Sequence, residues 1–200
     1  MEKAVGFGFF PECKLPQKYS CFLCNKNKSI FRIILKLLAA FVLTIVVYYL
    51  FPESKLPTGS KVDKILVEKS KRKMLVYSGG KKLKTYSVSL GFRPRGKKRF
   101  EGDGRTPEGI YYIVSKNSRS IAHKSLGLSY PNAADRKYAA QRDKSAGAHI
   151  MIHGMMNGLG YWGKFHRFID WTGGCIAVTN SEMDDLFRHV DVGCEVEIVE

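Results

Sequence analysis

The stretch Lys64-Ile65-Leu66-Val67-Glu68, followed by Met74-Leu75-Val76-Tyr77 and Lys84-Thr85-Tyr86-Ser87-Val88-Ser89-Leu90, decides the fold class. These are short runs rich in β-branched and aromatic residues. Ser70 to Lys73 and Ser78-Gly79-Gly80-Lys81 punctuate them, which predicts a meander of hairpins. Further strands are expected at Ile110–Val114, His149–Ile152, Cys175–Val178 and Glu195–Val199. Only one helix stands out. Thr179 and Glu182 have capping-box spacing, Met183, Leu186, Phe187 and Val190 follow a helical period, and Gly193 suits a stop. Many short strands with one late helix predict a mostly β, sandwich- or barrel-like domain, not a parallel α/β fold. Between the strands, Gly91 to Gly109 forms a long loop rich in glycine, proline and charge, and such loops tend to carry function. The chain has no internal repeats.

Outward from this region the composition changes sharply. Ile30 to Phe51 is a run of 22 residues whose only charges are Arg32 and Lys36, and from Leu37 to Phe51 Thr44 is the only residue that is not apolar. Such a run is long enough to span a bilayer. Lys14, Lys18, Lys26, Lys28, Arg32 and Lys36 precede or open it, which predicts a cytoplasmic N-terminus. A cleaved signal peptide is the rival reading. The basic region before the span is long, however, and no small-residue cleavage pattern follows it, so an uncleaved anchor is preferred. The chain then divides into a basic cytoplasmic tail (1–29), a transmembrane anchor (30–51), a linker (52–61) and an exported domain (62–199). The linker, PESKLPTGS through Ser60, reads as a short tether lifting the domain off the bilayer.

The whole chain has a formal charge of +15, from 33 Lys+Arg against 18 Asp+Glu. Residues 1–51 carry seven basic and two acidic groups, so most of the excess lies beyond the span. Arg93, Arg95, Lys97, Lys98 and Arg99 concentrate it on the long loop. A basic loop is usually a solvated face, but outside a membrane it is also suited to an anionic wall polymer. Nucleic acid is a poor partner for a domain on that side. Cys13, Cys21 and Cys24 precede the span and are expected to be reduced. A zinc site needs four ligands, and that tail supplies no histidine.

The chemistry is expected around His153-Gly154 and Thr172-Gly173-Gly174-Cys175. A cysteine nucleophile needs an imidazole to take its proton and backbone N–H groups for the oxyanion. The bland reading of Cys175 is a buried structural thiol, and the glycines beside it argue against that. A disulfide to Cys194 is allowed outside the cytoplasm but would block the nucleophile. His149 and His153 are not read as a metal pair, because four residues of strand span about 13 Å. No serine sits in a nucleophile elbow.

Four ordered stretches carry a resemblance. They are Glu101–Tyr111 (EGDGRTPEGIY), Ser129–Asp135 (SYPNAAD), Ile150–Gly154 (IMIHG) and Asp170–Asn180 (DWTGGCIAVTN). Together they resemble the L,D-transpeptidase catalytic-domain family of bacterial cell-wall enzymes, in its Asp-Trp-Thr-x-Gly-Cys branch, over roughly residues 62–199. The resemblance implies an L,D-transpeptidase-type β-sandwich behind a single transmembrane helix, placed at the inner membrane with the domain in the periplasm. It assigns Cys175 as nucleophile, His153 as acid/base and the Gly154 carbonyl as the group orienting that histidine. Thr172, Gly173, Gly174, Tyr130 and His166 are expected to face substrate, with His166 alternatively capping a turn and Tyr130 alternatively scaffold.

The implied reaction is acyl transfer on peptidoglycan stem peptides through a thioester, which cross-links the wall and needs no metal or organic cofactor. Lipoprotein, a free D-amino acid or water as acceptor are variations of the family. A hydrolytic amidase and a non-catalytic wall-binding module are the alternatives. The chain departs from the family pattern where Gly173 replaces His or Arg, where His149 replaces Asp, and in a slightly long spacer between His153 and Thr172. These departures bear on substrate choice.

Overall fold

The computed structural model describes the backbone of residues 17–200 and the side chains from Ser29 onward. Cys13 and the side chains of Cys21 and Cys24 lie outside the described residues. The chain divides into two units at Leu50/Phe51. The first contains α1 (Gln17–Leu50), which begins earlier than the expected span. Within it Ser29–Leu50 is long and apolar enough to cross a membrane, by length and composition. Thr44 satisfies its own hydroxyl by donating to Ala40 O at 2.9 Å, as a polar group in an apolar helix must.

The second unit is built on β1 (Val62–Glu68), β2 (Lys73–Ser78), β3 (Lys81–Ser87), β4 (Gly109–Ser120), β5 (His123–Leu128), β6 (Met151–His153), β7 (Ile176–Ala177) and β8 (Val190–Val199). They form one eight-stranded sheet in the order β3-β2-β1-β8-β4-β5-β6-β7. Two pairs, β1/β8 and β6/β7, are parallel, and the rest are antiparallel. The expected sandwich of separate sheets is corrected to a single curled sheet. Strand β4 makes the curl, because Gly109 to Tyr112 pair with β8 whereas Ile113 to Ser120 pair with β5 across register shifts. Such irregularities bend a strand and tighten its twist.

Alternation along the strands sends Ile65 and Val67, Met74 and Val76, Tyr111 and Ile113, and Val196 and Ile198 into one core. Helix α3 (Asn180–His189) closes it with Met183 and Leu186. Its capping box is present, with Thr179 accepting from Glu182 N while Glu182 accepts from Thr179 N. The helix ends at His189, not at Gly193, which sits in β8 with φ +93°.

A single late helix is also corrected. Helix α2 (Ala133–Ala140) and a 3₁₀ segment (Gly160–Phe168) add to it. Residues of the expected tether make contacts within the second unit. Leu56 is buried, its N–H donates to Asp185 Oδ2 at 2.9 Å, and Glu53 accepts from Arg167 at 2.6 Å.

Candidate active site

Strands β6 and β7 are only three and two residues long, yet they bring the candidate residues to one edge of the sheet. Their parallel register pairs Ile152 with Ile176 and His153 with Ala177. Continued one step back, it sets Met151 beside Cys175. Cys175 directly precedes β7, and by this register it lies two residues, about 7 Å along the strands, from the level of His153. The short edge is braced by backbone pairing of Ser89 with Ala177 and of Gly91 with Thr172. Asp170 locks the same corner, accepting from Leu90 N at 2.9 Å and from Arg72 Nη2 at 2.8 Å.

Cys175 and Cys194 are both free thiols. Cys175 borders a groove of about 480 Å³ lined also by Lys98, Glu101, His149, Ile150 and Gly173. Its thiol donates to His149 O at 3.5 Å. Burial pushes the Cys175 thiol above its ordinary value, against the Met151 N–H and the Lys98 charge, which favour the thiolate. A thiol beside such donors and a cation would on those grounds alone be pulled down. Desolvation outweighs them here.

His153 is buried, and its Nδ1 lies 2.6 Å from Gly154 O. A carbonyl can only accept, so Nδ1 carries the hydrogen and Nε2 keeps a lone pair. Burial holds the imidazole below 6.5, with the Gly154 carbonyl opposing. At neutral pH the ring is therefore an uncharged base with one nitrogen available. Trp171 packs edge-on against it, with ring centroids 5.7 Å apart.

Thr172 and the glycines shape the turn before Cys175. The Thr172 hydroxyl donates to Cys175 O at 2.8 Å and accepts from Gly174 N at 3.1 Å. That N–H is thereby committed. Gly174 has φ +132°, and a Cβ there would stand 2.5 Å from Arg105 O. Only glycine fits. Gly173 borders the groove, and a Cβ built there would meet nothing within 4 Å.

Two expected substrate contacts are placed elsewhere. Tyr130 is in the core, its hydroxyl donating to Ala146 O at 2.7 Å, and it steadies the segment that leads to the groove. His166 is buried behind the site. Ser89 Oγ donates to His166 O at 2.7 Å, so its single proton is spent and it accepts from His166 Nδ1 at 2.9 Å. His166 Nε2 is left as a buried lone pair without a partner, as is the Trp171 Nε1 donor. Burial and the neighbouring Arg167 push the His166 imidazole down to about 4.

Lys98 was missed as a site residue because it reads as one more charge of a basic loop. It is buried, held by Asp103 Oδ1 at 2.8 Å and Phe100 O at 3.0 Å, and it borders the groove. Its partner Asp103, four bonds deep in a loop turn, was the available signal. Among the described residues no cluster of three or more His, Cys, Asp or Glu is placed to hold a metal ion.

Residues 63–198 match the YkuD family model, the L,D-transpeptidase catalytic domain. YafK of Escherichia coli (strain K12), provisionally named an L,D-transpeptidase, is 29% identical over 111 residues, which is 54% of this chain and 35% of YafK. The crystal structure of the helical cell shape determining protein Pgp2 from Campylobacter jejuni superposes with a TM-score of 0.54 at 25% identity, covering 74% of this chain and 50% of that one. The chain thus spans half or less of each of these relatives. The family model covers nearly all of the second unit, and on that ground this chain belongs to the L,D-transpeptidase catalytic-domain family.

Proposed function

We propose that the protein is a cysteine-dependent L,D-transpeptidase of the Asp-Trp-Thr-x-Gly-Cys branch, acting on peptidoglycan stem peptides. The observations that support the reading are a thiol bordering a groove and, on the neighbouring strand, a neutral imidazole whose Nδ1 is fixed by Gly154 O. Cys175 Sγ attacks the carbonyl carbon of the L-to-D peptide bond while its proton passes to His153 Nε2. The oxyanion is stabilised by backbone N–H groups of the Gly173–Cys175 turn other than the one Thr172 occupies, and by the Lys98 charge. Collapse breaks the C–N bond, and His153 Nε2 returns the proton to the leaving amine. An acceptor amine from a second stem peptide then attacks the thioester, gives its proton to Nε2 and releases the thiol.

Helix α1 is read as the anchor of a single-pass inner-membrane protein with its second unit in the periplasm. The name of Pgp2, a helical cell shape determining protein, supports a place in cell shape, and the family supports one in the cell wall. Purified chain incubated with stem-peptide tetrapeptides should give a cross-linked dimer by mass spectrometry. Cys175→Ser and His153→Ala should each remove turnover about as fully as the double variant, by a factor on the order of 10³ or more, because nucleophile and base act as one unit. Shortened peptide without dimer would instead assign water as the acceptor, making the protein an amidase. Turnover near the wild-type rate in His153→Ala would overturn the assignment of the base.

A further inference from the structure

Two stretches of the second unit meet at the rim of the Cys175 groove. Glu101 N donates to Ser145 O at 2.8 Å, and Glu101 and Ser145 both line the groove. Just outside this contact, charge is gathered on aromatic rings. Arg99 and Arg142 both stack on Tyr138 of α2, with guanidinium carbons 4.2 and 3.8 Å from the ring centroid. Lys144 Nζ lies 4.7 Å from the centroid of Phe100, whose ring is 6.0 Å from that of Tyr138. Three cations thus share two adjoining rings.

Among the described residues no acid pairs with these three. Asp103 is held by Lys98 at 2.8 Å and Asp135 by Lys97 at 3.2 Å. Glu101 and Asp143, the other acids of the two stretches, are exposed and form no ion pair with Arg99, Arg142 or Lys144. Over residues 97–105 and 135–144, eight cations stand against those four acids, so the excess is positive. Like charges held side by side repel, and stacking on a ring face offsets only part of that. Stacking also uses the flat face of a guanidinium and leaves its N–H edge for a planar anion. Arg142 Nη1 donates to Tyr138 O at 3.2 Å, whereas Arg99 makes no side-chain hydrogen bond among the described residues.

We propose that Arg99, Arg142 and Lys144 form a subsite beside the groove for a carboxylate of the peptide substrate, remote from the bond that Cys175 attacks. The proposal rests on reading the groove as the place where a stem peptide binds. Continuity favours this occupant over a free anion. The chain passes from Phe100 into Glu101 and from Lys144 into Ser145, so a peptide leaving the groove over this rim meets the cations. A carboxylate matches the fork of a guanidinium. A contact made away from the reacting atoms is equally strong in bound substrate and transition state, so the subsite sets KM and leaves kcat alone. It selects acidic peptides over their amidated counterparts.

Two synthetic tetrapeptides test this with the full-length chain at low salt. One carries free carboxylates, and in the other those remote from the scissile bond are carboxamides. On the wild type the free acid should show a KM roughly tenfold lower at similar kcat, the size expected of two or three partly exposed charge contacts. Added NaCl should raise that KM and leave the amidated peptide unaffected. In the triple variant Arg99→Gln, Arg142→Gln, Lys144→Gln the two KM values should converge. Equal KM values on the wild type would overturn the subsite and leave the transpeptidase reading standing, and a triple variant that still prefers the free acid would do the same. Calorimetric titration of Cys175→Ser with both peptides reads binding without turnover. Tighter binding of the free acid there, with no turnover by the wild type, would support the subsite and overturn the acyl transfer.

Discussion

Cys175 and His153 both rest uncharged, by the same cause acting on groups of opposite sign. Burial disfavours the thiolate and the imidazolium alike. Under the proposed function, proton transfer would then be part of the attack rather than a condition set beforehand. Cys194 is shifted in the same direction, up to about 12, by burial and by Asp63, Glu195 and Asp191. Iodoacetamide should accordingly label Cys175 slowly at pH 6, faster as pH rises past the ordinary thiol value of 9.0, and always ahead of Cys194. Peptide mapping by mass spectrometry across a pH series checks this. Full labelling of Cys175 at pH 6 would show a preformed ion pair. The proposed nucleophile and base stand out in the sequence because each sits in a motif beside glycine. The sign of the thiol's shift does not, since desolvation depends on what the fold packs around the sulfur.

At the level of elements, the site hangs on a turn that backbone geometry alone makes possible. Gly174 occupies positive φ and lies against Arg105 O, a close approach contributed by the long loop. Gly174→Ala is expected to cost about 2 kcal/mol or more, from strain and from displacing that carbonyl, and to lower Tm with activity. Gly173→Ala meets nothing within 4 Å and should leave Tm unchanged. Thermal unfolding of the two variants gives a direct comparison, and equal losses would refute the role given to the Arg105 contact. Elements with strong local signals were legible: β1 and β2 through β-branched alternation, α3 through its capping box. Strand β5 was not, because His123–Leu128 (HKSLGL) lacks that alternation and is held by pairing with β4 and β6. Gly127 belongs to the same explanation, since a Cβ there would stand 2.4 Å from Ser115 Oγ. Helix α2 was hidden by its brevity and by a cap built from Asn132 and Asp135 in place of Thr and Glu.

Across the whole molecule, the hydrophobic pattern determined a mostly β domain, but the curl of the sheet depends on register shifts within β4 that no local pattern announces. Long-range burial also governs how the fold responds to acid. His166 carries an imidazole whose ordinary value of 6.5 is lowered to about 4 in the folded chain. Between those values the unfolded state binds a proton that the folded state refuses, so stability is present above pH 6.5 and is lost as pH falls toward 4. The difference corresponds to a loss on the order of 3 kcal/mol. His153, also lowered, adds to the loss, whereas Glu182, raised by burial, opposes it. Asp103, Asp184 and Asp191 are lowered from 3.8 and contribute only at more acid pH. Urea unfolding of the wild type and of His166→Asn from pH 7 to pH 4 separates these contributions. The substitution is expected to cost stability at neutral pH, because it removes the bond to Ser89, yet to flatten the dependence on pH. Parallel curves for the two proteins would mean that His166 accepts a proton as readily in the folded state as in the unfolded one, which would overturn the role given to its burial.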